Sequence, residues 1–116
     1  MRDSKRSFKL ETNNVQKLCG MIGLARRAGK TVIGTDLVCR AMPKGQVRLV
    51  LISASASAPT KKKLSVKSDF YGIKWIEAEI DTERLGAILG KSGTVATVAI
   101  VDNGFAEEIE RLSASK

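Results

Sequence analysis

The chain has 116 residues, of which 43% are hydrophobic and 28% charged, a composition typical of one globular domain. No segment approaches the roughly 18 consecutive apolar residues of a membrane span, and the first residues lack the apolar core of a signal peptide. We therefore expect a cytoplasmic protein with no membrane contact. Because the sequence contains two cysteines and no histidine, the usual mixed zinc sites are excluded, and we expect no metal or cofactor.

The positive charge is concentrated in one part of the sequence. The net charge is +8, but residues 1–68 carry 15 basic and 3 acidic side chains, whereas residues 69–116 carry 5 basic and 9 acidic ones. Clustered lysine and arginine gain affinity for polyanions by displacing counterions from phosphates. A general contribution to solubility would explain the total charge but not its distribution, so the asymmetry favours a polyanionic partner.

The first elements are a tail, a helix and a short strand. Residues 1–12 are mostly basic and polar, which predicts a flexible basic tail before a single domain at 13–116. From Asn13 onward, apolar residues recur every three or four positions, which predicts a helix that ends at Gly29. These apolar positions are Val15, Leu18, Cys19, Ile22 and Ala25. Residues 30–33 then read as a short strand.

A second helix follows in "GTDLVCRAM", with Gly34 or Thr35 as its cap. Three of its apolar side chains are predicted to face inward, namely Leu37, Val38 and Ala41. Pro43 and Gly45 should end it. The continuous apolar run "VRLVLISASA" predicts a strand that is buried on both faces of a sheet.

Strands and helices alternate in the rest of the chain. A helix is predicted from Pro59 to Gly72, followed by the strand "IKWIEA" and a short helix capped by Asp81 or Thr82. The run "TVATVAIVD" predicts a fourth strand, and "GFAEEIERL" predicts the last helix. This order indicates the α/β class, as a three-layer α/β/α sandwich around a mixed or mainly parallel four-stranded sheet.

Several features argue against an enzyme. The segment "GLARRAGKT" departs from the phosphate-binding loop G-x-x-x-x-G-K-[ST], because five residues rather than four separate Gly23 from Gly29 and because a helix precedes it. Without histidine, the commonest general acid or base is missing. The carboxylates between Glu77 and Glu83, and those between Glu107 and Glu110, fit a solvated surface. No nucleophile elbow is present.

The start of the second helix is the best candidate for a binding site. Gly34 and Thr35 would offer free backbone N–H groups and the positive end of the helix dipole to a phosphate. Four nearby cations in sequence could supply charge: Arg26, Arg27, Lys30 and Arg40. Lys61 begins a second basic cluster. From the local sequence alone, an ordinary capped helix explains the segment equally well. The few aromatic residues argue against base stacking on a sheet, and we expect Trp75 to lie in the core.

Three segments resemble one known family: "IGTDLVCRA", "LVLISASASAPT" and "LGAILGKSGTVATVAIVD". They look like the kink-turn RNA-binding ribosomal proteins of the large subunit, the seven-Ae and thirty-e superfamily, and particularly its small bacterial members. The resemblance covers about residues 15–112. It implies a thirty-e-like fold and an RNA partner.

In that family a Gly-Thr-Asn-Glu-x-x-Lys segment opens the second helix, where the Asn and Glu read sheared G·A pairs. The matching residues here are Gly34, Thr35, Asp36, Leu37 and Arg40. Asp36 accepts hydrogen bonds only and Leu37 makes none, which implies altered or relaxed base selectivity, while Arg40 keeps the charge. The family's second contact is a loop before the last strand, matched by Lys91, Ser92, Gly93, Thr94 and Val95. These more polar residues imply contacts to phosphate.

The sequence therefore predicts a monomer that binds structured RNA without catalysis, as a ribosomal protein or a ribosome-associated factor. The RNA would contain a kink-turn or belong to the ribosome. The alternative is a protein-interaction module of the same fold that has lost specific RNA binding.

Overall fold

Four strands and five helices build the chain in a computed structural model, which describes the backbone of residues 2–114 and the side chains of residues 14–113. The helices are α1 (Arg2–Arg27), α2 (Thr35–Ala41), α3 (Ala58–Phe70), α4 (Thr82–Ile88) and α5 (Asn103–Ala114), and a 3₁₀ turn at Met42–Lys44 follows α2. The strands are β1 (Thr31–Ile33), β2 (Leu49–Ser53), β3 (Trp75–Ala78) and β4 (Thr97–Ile100). Helix α1 thus begins before Asn13. The side chains of residues 1–12 lie outside the described residues, so the predicted flexibility of this tail stays a prediction.

The sheet is mixed, as predicted, and its order is β1-β4-β2-β3. Strand β4 runs antiparallel to both β1 and β2, and only β2 and β3 form a parallel pair. Strands β1, β2 and β3 therefore point the same way, and β4 is inserted between two of them in the opposite direction. Of the two alternatives, a mixed or a mainly parallel sheet, the mixed sheet is the one formed, because two of the three ladders are antiparallel.

Helices cover both faces of the sheet, which confirms the three-layer sandwich. Helices α1, α4 and α5 pack on one face, where Leu49 and Leu51 of β2 point. Helices α2 and α3 pack on the other face, where Val50 and Ile52 point. All five residues of β2 are buried, which explains why this segment is a continuous apolar run and does not alternate with polar residues.

Two predicted core residues lie at the surface instead. Leu37, in the first turn of α2, is 54% exposed, and only Val38 of that helix is fully buried. Trp75 is 37% exposed because β3 is an edge strand, and no other strand of the described chain covers its outer flank. Cys19 and Cys39 are free and half-buried, each packed against one of the two cores.

Candidate functional site

The inserted strand β4 determines where the loops meet. Because β4 runs against the other strands, its first residue lies at the sheet edge where β1, β2 and β3 end. The N–H of Gly34 donates to the carbonyl oxygen of Thr97 at 3.1 Å, and the N–H of Ser53 donates to the carbonyl oxygen of Ala96 at 2.8 Å. We call this end of the sheet the loop edge. It carries the starts of α2, α3 and α4 and the residues that lead into β4.

Gly34 gives α2 an uncapped start at the loop edge. Its backbone has φ 100° and ψ 149°, a region that is essentially restricted to glycine, and no side chain of residues 14–113 caps the helix. The carbonyl of Gly34 accepts from the N–H of Val38 at 2.9 Å, which closes the first turn. Among the described residues, none accepts a hydrogen bond from the N–H groups of Thr35, Asp36 or Leu37. These amides are therefore available to an external acceptor.

The segment before β4 lies back along α4. The N–H of Lys91 donates to the carbonyl oxygen of Gly86 at 2.8 Å, and the N–H of Val95 donates to that of Thr82 at 3.0 Å. Gly86 permits this close approach, because a Cβ at that position would lie 2.0 Å from the carbonyl oxygen of Gly93. The loop of residues 91–96 is thus anchored at both ends of α4 and enters β4 beside α2.

Buried hydroxyl groups hold the loop edge together from inside. Ser53 is fully buried, and its Oγ donates to the carbonyl oxygen of Ile80 at 2.6 Å. Thr97 is fully buried as well, and its Oγ1 donates to the carbonyl oxygen of Leu51 at 2.5 Å. The Oγ of Ser55 accepts from the N–H of Thr82 at 2.9 Å, which links the start of α4 to the end of β2. A buried carbonyl without such a donor is costly, so these bonds fix the loops in place.

The structure brings the two segments named by the resemblance to one edge. Asp36, Leu37 and the residues 91–94 are exposed, and Thr35 is partly exposed. Val95 differs from its neighbours, because its side chain is only 7% exposed and packs in the core beside α4. Its side chain is therefore turned away from the predicted RNA contact and its N–H already donates to Thr82, whereas the preceding four residues are exposed to solvent.

The predicted cations do not all converge on α2. Lys30 lies at the opposite end of β1 from Gly34, about 13 Å away along the strand, since its carbonyl accepts from the N–H of Val101. Arg26 and Arg27 belong to α1, on the other face of the sheet. The guanidinium of Arg26 lies against Gly90, just before the loop, and Arg27 lines a groove between α1 and α5.

Two further basic side chains have different surroundings. Arg40 sits one turn after Asp36 on α2 and is exposed, with no ion pair among the described residues. Helical side chains lean toward the N-terminus, so the Arg40 guanidinium can reach back toward the start of α2. Lys61 is paired with Glu77, with Nζ and Oε2 3.1 Å apart. Arg40 and Lys91 thus belong to the two predicted contact segments themselves, and Arg26 approaches the second one from α1.

Acidic side chains distinguish the two sides of the loop edge. Glu79, Asp81 and Glu83 are exposed beside β3 and α4, and Asp81 caps α4 by accepting from the N–H of Arg84 at 2.8 Å. A polyanion would be repelled by these three carboxylates, whereas the start of α2 carries one, Asp36, so the α2 side is the more favourable one. The sequence predicted a solvated role for these carboxylates but not their place beside the site. The sequence also did not identify Gly86 and Ser55 as residues that shape the site. Only Gly86 had a recognisable signal, because a glycine inside a short helix indicates a special packing requirement.

The site offers no metal-binding arrangement in the part of the chain that is described, where no three acidic, cysteine or histidine side chains gather. Helices long and apolar enough to cross a membrane are likewise absent from that part. Burial raises the pKa of the Cys19 thiol, and the nearby Arg84 cation lowers it to a lesser degree.

Comparison with known proteins gives a family match over most of the chain. The model of the ribosomal protein L7Ae/L30e/S12e/Gadd45 family matches residues 16–110. The RNA-binding protein YlxQ of Enterococcus faecium is 35% identical over 103 residues, which cover 89% of this chain and 97% of that protein. YlxQ of Bacillus subtilis is 37% identical over 89 residues, covering 77% of this chain and 87% of its own length.

More distant relatives agree with the fold. The large ribosomal subunit protein eL30 of Methanosarcina mazei is 30% identical over 80 residues, covering 69% of this chain and 74% of its own. A solved protein of unknown function from Bacillus halodurans is 33% identical with a TM-score of 0.75, covering 85% of this chain and 98% of its own. The 15.5kD RNA binding protein of Giardia lamblia has a TM-score of 0.72 at 14% identity, covering 88% and 86%, and shows the shared fold alone.

Proposed function

This chain belongs to the ribosomal protein L7Ae/L30e/S12e/Gadd45 family, and from that premise we propose that it binds structured RNA at the loop edge. The observation that carries the proposal is the hydrogen bond from the Gly34 N–H to Thr97, which brings the start of α2 beside the loop of residues 91–96. Both segments that the family resemblance assigns to RNA therefore face the same ligand. Two relatives whose names state RNA binding support this partner.

The binding groups have separate roles in the proposal. The free backbone N–H groups of Thr35 and Asp36 donate hydrogen bonds to a phosphate oxygen, and Arg40 and Lys91 neutralise the RNA backbone on either side. Ser92 and Thr94 add hydroxyl contacts. Because these groups contact phosphate and not base edges, the affinity follows the shape of the RNA more than its sequence. A kink-turn or a ribosomal RNA fold presents such a bent backbone.

The cellular setting follows from the same family. We propose a cytoplasmic bacterial protein that acts as a monomer on ribosomal or another folded RNA and catalyses no reaction. Copurification with ribosomal particles in a sucrose gradient, lost after high-salt washing, tests that association. Exclusive migration of the protein in the particle-free fractions at low salt would contradict it.

Fluorescence anisotropy with a labelled kink-turn RNA tests the binding site. We expect Arg40→Ala to weaken binding about tenfold, because a charge-assisted contact contributes about 1.5–3 kcal/mol. Lys30→Ala is the matched control, since it removes one exposed cation at the far end of β1 and should change the affinity little. An affinity no better than millimolar at low salt, or equal effects of both variants, would refute the proposal.

The exposed Leu37 favours a second candidate function. An apolar side chain that is 54% exposed at the start of α2 suits a protein partner better than an RNA backbone. The fold would then be a protein-interaction module without specific RNA binding. Pull-down from lysate with and without nuclease separates the two functions, because partners bound through RNA are lost after nuclease treatment. A partner bound directly to the protein should survive nuclease and should be lost in Leu37→Ser.

A further inference from the structure

A second surface, away from the start of α2, combines exposed aromatic rings with lysines. Phe70 is 79% exposed, Tyr71 40% and Trp75 37%. The Phe70 and Tyr71 rings meet edge to face with centroids 5.0 Å apart, which leaves most of the Phe70 ring in water. We call this the α3 surface, and it consists of Lys62, Lys63, Lys67, Phe70, Tyr71 and Trp75. Large exposed rings in a cluster mark a contact site for a partner.

The position of these side chains follows from the helix and the edge strand. Helix α3 turns Leu64 and Ser68 fully into the core, so the opposite stripe faces solvent. Lys62, Val66 and Phe70 are each four residues apart and therefore lie on that exposed stripe. Side chains of β3 alternate, and Trp75 points toward α3, where its indole N–H donates to Asp69 Oδ1 at 3.0 Å. The indole is thereby held beside the helix with its ring at the surface.

The charge on this surface is unbalanced. Lys62, Lys63 and Lys67 are exposed and form no ion pair with any described residue. Asp69 is the single carboxylate of α3, and it already accepts the hydrogen bond from Trp75. Lys63, Lys67 and Phe70 follow one another at spacings of four and three residues, so a row of unpaired cations leads along α3 to the Phe70 ring. Protein interfaces are depleted in lysine, whereas grooves for single-stranded nucleic acid combine aromatic rings for the bases with cations for the phosphates.

We propose that the α3 surface binds a single-stranded segment of RNA. Bases stack on Phe70 and Trp75, and Lys62, Lys63 and Lys67 neutralise the backbone. Helix α3 starts at the loop edge and is about 20 Å long, so a strand that leaves the first site can continue along it. This second site requires none of the groups at the start of α2 and goes beyond the proposed function.

The single tryptophan of the chain makes the proposal directly measurable. Titration with oligouridine of about ten nucleotides, within the usual span of such grooves, should quench Trp75 fluorescence. Phe70→Ala should weaken this binding at least about fivefold, as expected for the loss of one stacked base. Substitution of Lys62, Lys63 and Lys67 by Gln should flatten its salt dependence. Leu24→Ala is the control, since Leu24 is 46% exposed on the other face of the sheet.

Several outcomes would overturn the proposal. One is unchanged Trp75 emission at saturating oligouridine, and another is equal affinity of Phe70→Ala and Leu24→Ala. Self-association of the wild-type protein in sedimentation that Phe70→Ala abolishes would identify a protein interface instead. Failure of the first site is distinguishable, because Phe70→Ala should bind a kink-turn RNA without single-stranded extensions normally, and Arg40→Ala should bind oligouridine normally. Circular dichroism of each variant verifies that it is folded.

Discussion

At the scale of single residues, glycines and buried hydroxyls determine the geometry of the loop edge. Gly34 adopts a conformation that side chains disfavour, and Gly86 leaves room for the backbone of Gly93. Ser53 and Thr97 satisfy carbonyls that water cannot reach. The sequence pointed to Gly34 as a helix cap, but the need for glycine at position 86 arises from a neighbour seven residues away and has no local pattern.

A substitution at Gly86 should damage both stability and RNA binding. Although alanine favours helices, the added Cβ of Gly86→Ala would meet the Gly93 carbonyl and displace the loop, so we expect a loss of about 1–3 kcal/mol. Gly20→Ala is the matched control, because nothing lies within 4 Å of its Cβ and the helix should gain about 1 kcal/mol. Urea unfolding measures both changes. Equal stability of the two variants would contradict the packing described.

The raised pKa of Cys19 predicts slow alkylation. Burial disfavours the thiolate, and only the thiolate reacts, so at pH 8 Cys19 should react with iodoacetamide more slowly in the folded protein than in urea. Its rate in the folded protein should keep increasing as the pH rises past 9.0, the ordinary value for the thiol. Mass spectrometry of the peptide that contains Cys19 gives the rate. Equal rates in the folded and unfolded protein at pH 8 would show that burial has no such effect.

At the scale of elements, hydrophobic periodicity predicted most of the fold. The continuous apolar run over β2, the capping residue Asp81 and the glycine at the start of α2 all have the expected structural roles. The strand order could not be predicted, because the pairing of β4 between β1 and β2 depends on contacts distant in sequence. The exposure of Trp75 has the same origin, since only the sheet order makes β3 an edge strand.

Two substitutions in helix α2 should increase the selectivity for kink-turn RNA. The resemblance assigns an Asn and a Glu to positions 36 and 37, so the double variant Asp36→Asn and Leu37→Glu installs both readers without changing the net charge. Leu37 is exposed, and the exchange should therefore cost little stability. Hydrogen bonds to base edges discriminate by about 1–3 kcal/mol, so the preference for kink-turn over unkinked duplex should rise about tenfold. An unchanged ratio of the two Kd values would count against reading at these positions.

At the scale of the whole molecule, the positive charge is spread over more than one face. The sequence predicted the charge asymmetry but not its placement, because α1 and α2 lie on opposite faces of the sheet and Lys30 lies at the far end of β1. The total charge therefore attracts RNA from many directions, while few cations can contact it at the loop edge. The long-range attraction of RNA by the total charge and the local contacts of single cations should respond differently to substitution of lysine and arginine.

The salt dependence of RNA affinity separates these two effects. Each lost phosphate contact lowers the slope of log K against log salt by about 0.7–0.9. The double variant Arg40→Ala and Lys91→Ala should therefore lower the slope by about 1.5. The double variant Arg27→Ala and Lys30→Ala removes the same charge elsewhere and should leave the slope nearly unchanged. Equal reductions in both would mean that the cations at the loop edge have no special role.

Amide chemical-shift mapping tests most directly whether RNA binds where α2 begins beside the loop that enters β4. The ¹⁵N-labelled protein is titrated with a kink-turn RNA that has no single-stranded extension at either end. The largest shifts should fall on residues 34–40 and 91–96, with little change at residues 24–30 and in α5. Shifts concentrated in α1 and α5, with the amides of residues 34–37 unperturbed, would contradict the proposed site.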